Sequence, residues 1–119
     1  MSPFENLARA QAWVFDLQKY GIKFGLSSTL NLLARLGLPF EQGHYLHVAG
    51  TNGKGSVAAM LSAILTRAGY PVGLFTSPHL VRFEERFRLG DRDISAEGLL
   101  DLINQVREAI DETEPPTFF

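Results

Sequence analysis

Seven residues, Gly50-Thr51-Asn52-Gly53-Lys54-Gly55-Ser56, constrain this chain more than any other stretch. The short apolar run 45–49 rises to Gly50, and an apolar-periodic segment continues from Ser56 without a break. Glycines let consecutive backbone N–H groups converge on one point. The first turn of the following helix adds its unpaired N–H groups and the positive end of its dipole. Lys54 supplies a point charge, and Thr51 and Ser56 supply hydroxyls. Such a stretch is suited to phosphate, and the expected ligand is a nucleotide triphosphate.

The spacing departs from the standard P-loop, which places four residues between its first glycine and the Gly-Lys pair and a hydroxyl directly after the lysine. Here only Thr51 and Asn52 intervene, and Gly55 separates Lys54 from Ser56. The letters Gly53, Gly55 and Ala58 also satisfy G-x-G-x-x-A, so an NADP-binding oxidoreductase is an alternative. It fits less well: no acidic residue closes the next apolar run, which ends in Thr76-Ser77, and Lys54 has no part in it.

The loop resembles the nucleotide loop of the folylpolyglutamate synthase and dihydrofolate synthase family, relatives of the Mur ligases. A second block, Gly73-Leu74-Phe75-Thr76-Ser77-Pro78-His79-Leu80-Val81-Arg82-Phe83-Glu84-Glu85-Arg86, is similar to that family's next signature. Gly25-Leu26, Leu36-Gly37-Leu38-Pro39 and Thr117-Phe118-Phe119 extend the similarity over nearly the whole chain. The resemblance implies a ligase that joins L-glutamate to dihydropteroate, to tetrahydrofolate or its polyglutamates, or to both, through an acyl phosphate made with ATP. It implies nucleotide binding by residues 50–56, with Lys54 as the catalytic cation, and magnesium at Ser77 and Ser56. It also makes Lys23 and Phe24 candidates for substrate contact. Family members are several times longer, so residues 1–119 correspond to the N-terminal portion of the ATPase domain, and the C-terminal domain is absent. The other magnesium ligands and the adenine and glutamate sites belong to that missing sequence. Two further readings remain: a Mur-type cell-wall ligase, and a nucleotide-binding fragment without turnover.

Composition narrows the partners. With 119 residues, 45% of them hydrophobic and 20% charged, the chain is at most one soluble domain. A net charge of -2 gives no support for nucleic acid or an anionic membrane. The absence of cysteine excludes disulfides and thiolate metal sites. No basic leader or long apolar run appears, and the expectation is a cytoplasmic protein.

Periodicity predicts a first helix over about 3–20, with Ser2 and Glu5 as a capping box and Trp13 in the core. Ser27 or Ser28 should cap a second helix that turns Leu30, Leu33 and Leu36 inward. Residues 45–49 read as a strand, on which His47 is expected to be packed rather than chemically active. A helix over 54–68 should bury Val57, Met60 or Leu61, Ile64 and Leu65, and a strand over 72–76 follows. Gly90-Asp91 then marks a hairpin, and Ser95 should cap a last helix with Leu99, Ile103, Val106 and Ile110 inside. The mixed charges over 82–93 read chiefly as a salt-bridged surface, less so Arg82, Glu85 and Arg86, which lie within the block that is similar to the family's second signature. The expected fold class is α/β: a P-loop-type βαβ unit with parallel strands, preceded by two helices and followed by a β-hairpin and a helix. Because this is an incomplete Mur-ligase-like domain, uncovered apolar faces should make the chain self-associate.

Overall fold

The computed structural model describes residues 2–22 and 25–118. Lys23, Phe24 and Phe119, singled out above, lie outside the described residues. The chain divides into two compact units, one formed by residues up to His44 together with those from Glu97 onward, the other by Tyr45–Ala96.

The first unit contains α1 (Leu7–Asp16), α2 (Ser27–Arg35) and nearly all of the last helix, which spans Ala96–Ala109. Helix α1 starts later than periodicity predicts. Asn6, not Ser2, is its cap, and its side chain accepts the Arg9 N–H at 3.0 Å. Residues 2–5 are used otherwise: Phe4 exchanges two hydrogen bonds with the Asn104 amide, at 2.7 and 3.1 Å, and Ser2 O accepts from Arg107 at 3.1 Å. These long-range bonds outcompete a capping box worth about 1 kcal/mol. A 3-10 turn over Leu17–Tyr20 extends α1 to Gly21, whose positive φ of 68° ends it.

Helix α2 has no side-chain cap, because its cap position is Leu26, which carries no acceptor, and Ser27, expected as a cap, is its first helical residue, with the hydroxyl donating to Glu114 at 3.3 Å. Its inner side is Asn31, Leu32, Leu33 and Leu36, while Leu30 is exposed. Arg35 at the end of α2 pairs with Asp111 at 2.8 Å. The core of this unit is Ala10, Leu99 and Ile103. Trp13 is half-buried against the Phe4 ring at 5.7 Å, in line with the packing role expected of it.

The second unit contains α3 (Lys54–Arg67), β1 (Gly73–Phe75), β2 (Phe87–Leu89) and β3 (Arg92–Asp93); in chain order the last helix is α4. Mixed helix and sheet is as expected, but the pairing is not. The sheet runs β1-β2-β3 and both ladders are antiparallel, with Leu74 opposite Arg88 and Arg88 opposite Asp93. The hairpin turns at Gly90, φ 64°, as Gly90-Asp91 predicts. Residues 45–49 form no ladder, so no parallel βαβ unit closes among the described residues. A strand needs a partner edge. One edge of β1 is taken by β2, extended by the bonds Gly90 N–H to Val72 O and Thr76 N–H to Arg86 O, and nothing bridges the other edge to 45–49.

Burial follows from that pairing. Helix α3 packs on β1 and turns Ala58, Leu61, Ser62, Leu65 and Thr66 inward. Val57 and Ile64, expected inside, are exposed, and of the pair Met60 or Leu61 it is Leu61 that faces in while Met60 is exposed. A helix apolar on all sides needs cover on all sides, and a three-residue strand covers one. His47 is also exposed rather than packed.

A paired substitution tests this distribution. Ile103→Ala, at 7% exposure, should lower the unfolding free energy by about 2–5 kcal/mol. Ile64→Ala, at 64% exposure, should change it by less than about 0.5 kcal/mol. Urea denaturation measures both, and comparable losses would contradict the assignment of faces.

Candidate functional site

The turn into α3 is made by Gly53, which caps the helix with φ 76° and ψ 6°. An added Cβ there would meet nothing within 4 Å. Glycine is therefore required by the left-handed backbone, not by space. The first intrahelical bond is Val57 N–H to Gly53 O at 3.0 Å, which leaves the N–H groups of Lys54, Gly55 and Ser56 without an intrahelical acceptor. A glycine cap has no side chain to satisfy them. All seven residues, Gly50 through Ser56, are exposed. The loop thus presents a cluster of open donors at the positive end of a 14-residue helix.

Lys54 folds back across this loop. Its ammonium donates to the carbonyl oxygens of Gly50 at 2.7 Å and Thr51 at 3.4 Å, tying the start of the loop to the helix that ends it. These are neutral acceptors, exchangeable for anionic oxygen, and charge-assisted bonds to phosphate are the stronger kind.

Ser77 lies two residues beyond β1, exposed, in a cis peptide bond to Pro78. The segment after it holds contacts that the sequence did not specify, although Glu85 and Arg86 stand out there by their place in the second block. The Glu85 carboxylate accepts three backbone N–H bonds, from Leu80 at 3.0 Å, Val81 at 3.1 Å and Arg82 at 2.8 Å. Arg86 Nε donates to His79 Nδ1 at 2.9 Å. His79 also lies edge-on to Phe83, 5.8 Å between ring centroids, and Phe83 is 4% exposed. Among the neighbouring charges, Arg82 and Arg88 both reach Asp93, at 3.4 and 3.5 Å, the salt-bridged surface the mixed charges suggest. Glu85 stands three residues after Arg82, the cap of the 3-10 turn over Phe83–Arg86, which is the spacing at which a glutamate collects backbone donors.

Whether magnesium suits these residues is decided by donor type. The hydroxyls of Ser56 and Ser77 are hard oxygen donors, which the ion accepts together with phosphate oxygens and water. Among the described residues no cluster of three or more His, Cys, Asp or Glu stands ready to hold a metal ion. The two serine hydroxyls are of the donor type that a magnesium ion accepts beside phosphate oxygens. A cavity of about 460 Å³ in the first unit, lined in part by Trp13, Tyr20, Asn104 and Arg107, includes none of the loop residues.

No protein-family model matches the chain. It is 44% identical over 115 residues to the dihydrofolate synthase/folylpolyglutamate synthase of Bacillus subtilis, which accounts for 92% of this chain and 27% of that protein. Its fold superposes on a folylpolyglutamate synthetase from Lactobacillus casei with a TM-score of 0.86 and 33% identity, covering 96% of this chain and 30% of the other. A structure of Escherichia coli FolC in complex with DHPP and ADP matches with a TM-score of 0.82 and 32% identity, over 100% of this chain and 29% of the other. The chain spans less than a third of the length of each of these proteins.

The Glu85 contacts make a prediction about pH. The N–H bonds from Arg82 and Leu80, joined by that from Val81, hold its carboxyl below the usual range for glutamate. A carboxyl depressed in the folded state contributes stability above its unfolded pKa of about 4.3. That contribution is lost as pH falls through the lower folded value. In an NMR titration the amides of Leu80, Val81 and Arg82 should shift together, with one midpoint below about 4.3. Three unrelated midpoints, or a common one at or above that value, would contradict the contact.

Proposed function

The chain is homologous, over part of their length, to the folylpolyglutamate and dihydrofolate synthases, and from that premise we propose that it supplies the phosphate-binding loop of an ATP-dependent folate-glutamate ligase. The observation that carries the reading is the helix entry at Gly53: it leaves the N–H groups of Lys54, Gly55 and Ser56 without intrahelical acceptors in an exposed loop, across which the Lys54 ammonium reaches back to Gly50 O.

Forming an amide from a carboxylate requires an activated acyl group. In the proposed reaction a carboxylate oxygen of the pterin substrate attacks the terminal phosphorus of ATP, and ADP leaves with the electrons of the broken P–O bond. The amine of L-glutamate then attacks the acyl phosphate carbon, inorganic phosphate departs, and the amine loses a proton. Such phosphoryl transfer depends on positioning and on neutralising charge. Residues 50–56 of this chain would hold the phosphates through Gly50, Thr51, Asn52, Gly53, Gly55 and Ser56. Lys54 would exchange its bonds to Gly50 O and Thr51 O for the outer phosphate oxygens. Ser56 and Ser77 would be the chain's contribution to a magnesium ion, which when bound offsets phosphate charge. In this reading the adenine and glutamate sites belong to parts of the relatives that this chain does not span, and nucleotide binding without turnover is the alternative for the 119 residues by themselves. Residues 1–119 in this reading are the loop-bearing portion of a larger ATP-binding domain.

Two measurements test the reading. In calorimetric titration with MgATP, Lys54→Ala should weaken binding by more than tenfold, about 1.4 kcal/mol. Equal affinity of the two proteins would contradict the assignment of the loop. The exposed Val57, Met60 and Ile64 on α3, with Phe75 on β1, support the further expectation that the 119-residue chain self-associates. Sedimentation should show mean mass rising with concentration, and a constant monomer mass would refute it.

A further inference from the structure

The segment joining β1 to β2 exposes what the hydrophobic effect would hide. Leu80 is 93% exposed and Val81 83%, so apolar burial does not determine how residues 80 and 81 lie. Beside the edge-on contact of His79 with the buried Phe83, the segment's tip is held by hydrogen bonds from two consecutive residues at the far end of the connection. Glu85 gathers the N–H groups of Leu80, Val81 and Arg82 on one carboxylate, and Arg86 binds the His79 ring. At the near end, the Thr76 N–H donates to Arg86 O at 3.0 Å. The base beneath is aromatic: Phe83 meets Phe87 edge-on at 5.5 Å, and Phe87 lies 5.4 Å from Phe75 at the end of β1. Residues 76 and 79–82 are thus each fixed to the Glu85-Arg86 pair, with Ser77 and Pro78 strung between.

We propose that Glu85 is a positioning residue for the nucleotide site: by anchoring residues 80–82 it determines where the Ser77 hydroxyl stands. The proposal rests on the reading of Ser77 as a donor to the phosphate-bound ion. Three converging N–H bonds to one charged carboxylate are the strong kind of hydrogen bond. An amide oxygen in the same place would carry no formal charge and accept less well. Replacing Glu85 by glutamine therefore releases the segment, while the cradle of residues 50–56, held by its own Lys54 contacts, stays formed.

The experiment combines amide hydrogen exchange with ADP titrations, with magnesium and in EDTA, on the 119-residue chain and its Glu85→Gln and Lys54→Ala variants. For Glu85→Gln the expected result is at least tenfold faster exchange at residues 80–82 with exchange at 73–75 unchanged. MgADP affinity should fall about tenfold, and magnesium-free ADP affinity should stay within twofold of the parent chain. Lys54→Ala should weaken both nucleotide forms. If Lys54→Ala loses affinity while Glu85→Gln binds MgADP like the parent, this proposal is overturned and the loop reading stands. If the parent binds neither form, or Lys54→Ala changes nothing, the loop reading falls and this proposal with it. An equal loss of both forms on Glu85→Gln would also overturn it, as a general structural effect. Should that variant unfold, Glu85→Asp keeps the charge but shortens the reach by one methylene, and the same magnesium-selective loss is required of it.

Discussion

A left-handed residue at the mouth of α3 is the constraint on which the site depends. Gly53 turns the chain so that the helix starts at Lys54 with its first N–H groups uncapped and exposed. Any L-residue with a Cβ would be strained at φ 76° although space for it exists. Ser or Asp, the usual caps, would satisfy those N–H groups internally and compete with a bound anion. Choosing glycine costs the helix a cap and leaves its donors available. The lysine that follows then bridges back to Gly50, so the loop is held by the group that would itself exchange onto phosphate.

The connection after β1 is organised on the opposite principle. Around Gly53, donors are left open; around Glu85 they are collected. Leu80 and Val81 are turned to solvent as a consequence, because their N–H groups face the carboxylate. The aromatic side chains of Phe75, Phe83 and Phe87 supply the packing that the segment's tip lacks. A polar anchor of this kind sets direction, whereas apolar packing of comparable size would set burial.

What the sequence made legible follows the range of the interaction. The start of α3 at Lys54, its end before Gly69 and the hairpin at Gly90 are local events governed by glycine at positive φ, and each is found where expected. The inner face of α4 at Leu99 and Ile103 follows from its 3.6-residue period. Contacts between distant residues were not legible. Asn104 claims the backbone of Phe4 across 100 residues of sequence and displaces the cap from Ser2 to Asn6. The outward face of α3 was misjudged because Val57 and Ile64 satisfy the same period as Leu61 and Leu65, and period alone does not say which side has a partner. Residues 45–49 read as a strand on apolar alternation, yet no ladder joins them to the open edge of β1 among the described residues, and alternation alone does not say which edge a segment pairs with. In the candidate site, the glycine turn into α3 and the exposure of residues 50–56 agree with the sequence. The three contacts of Glu85 were not legible, because they depend on a turn that charge patterning does not reveal.

The account rests on the claim that residues 50–56 form a phosphate cradle in this chain as it stands. The most direct measurement is a 1H–15N correlation spectrum of the chain titrated with ADP. The account predicts that the largest shifts fall on the amides of Gly53, Lys54, Gly55 and Ser56, because those N–H groups acquire an anionic acceptor. Shifts centred elsewhere, for example around Trp13 and Arg107 at the cavity of the first unit, with the loop amides unmoved, would contradict it.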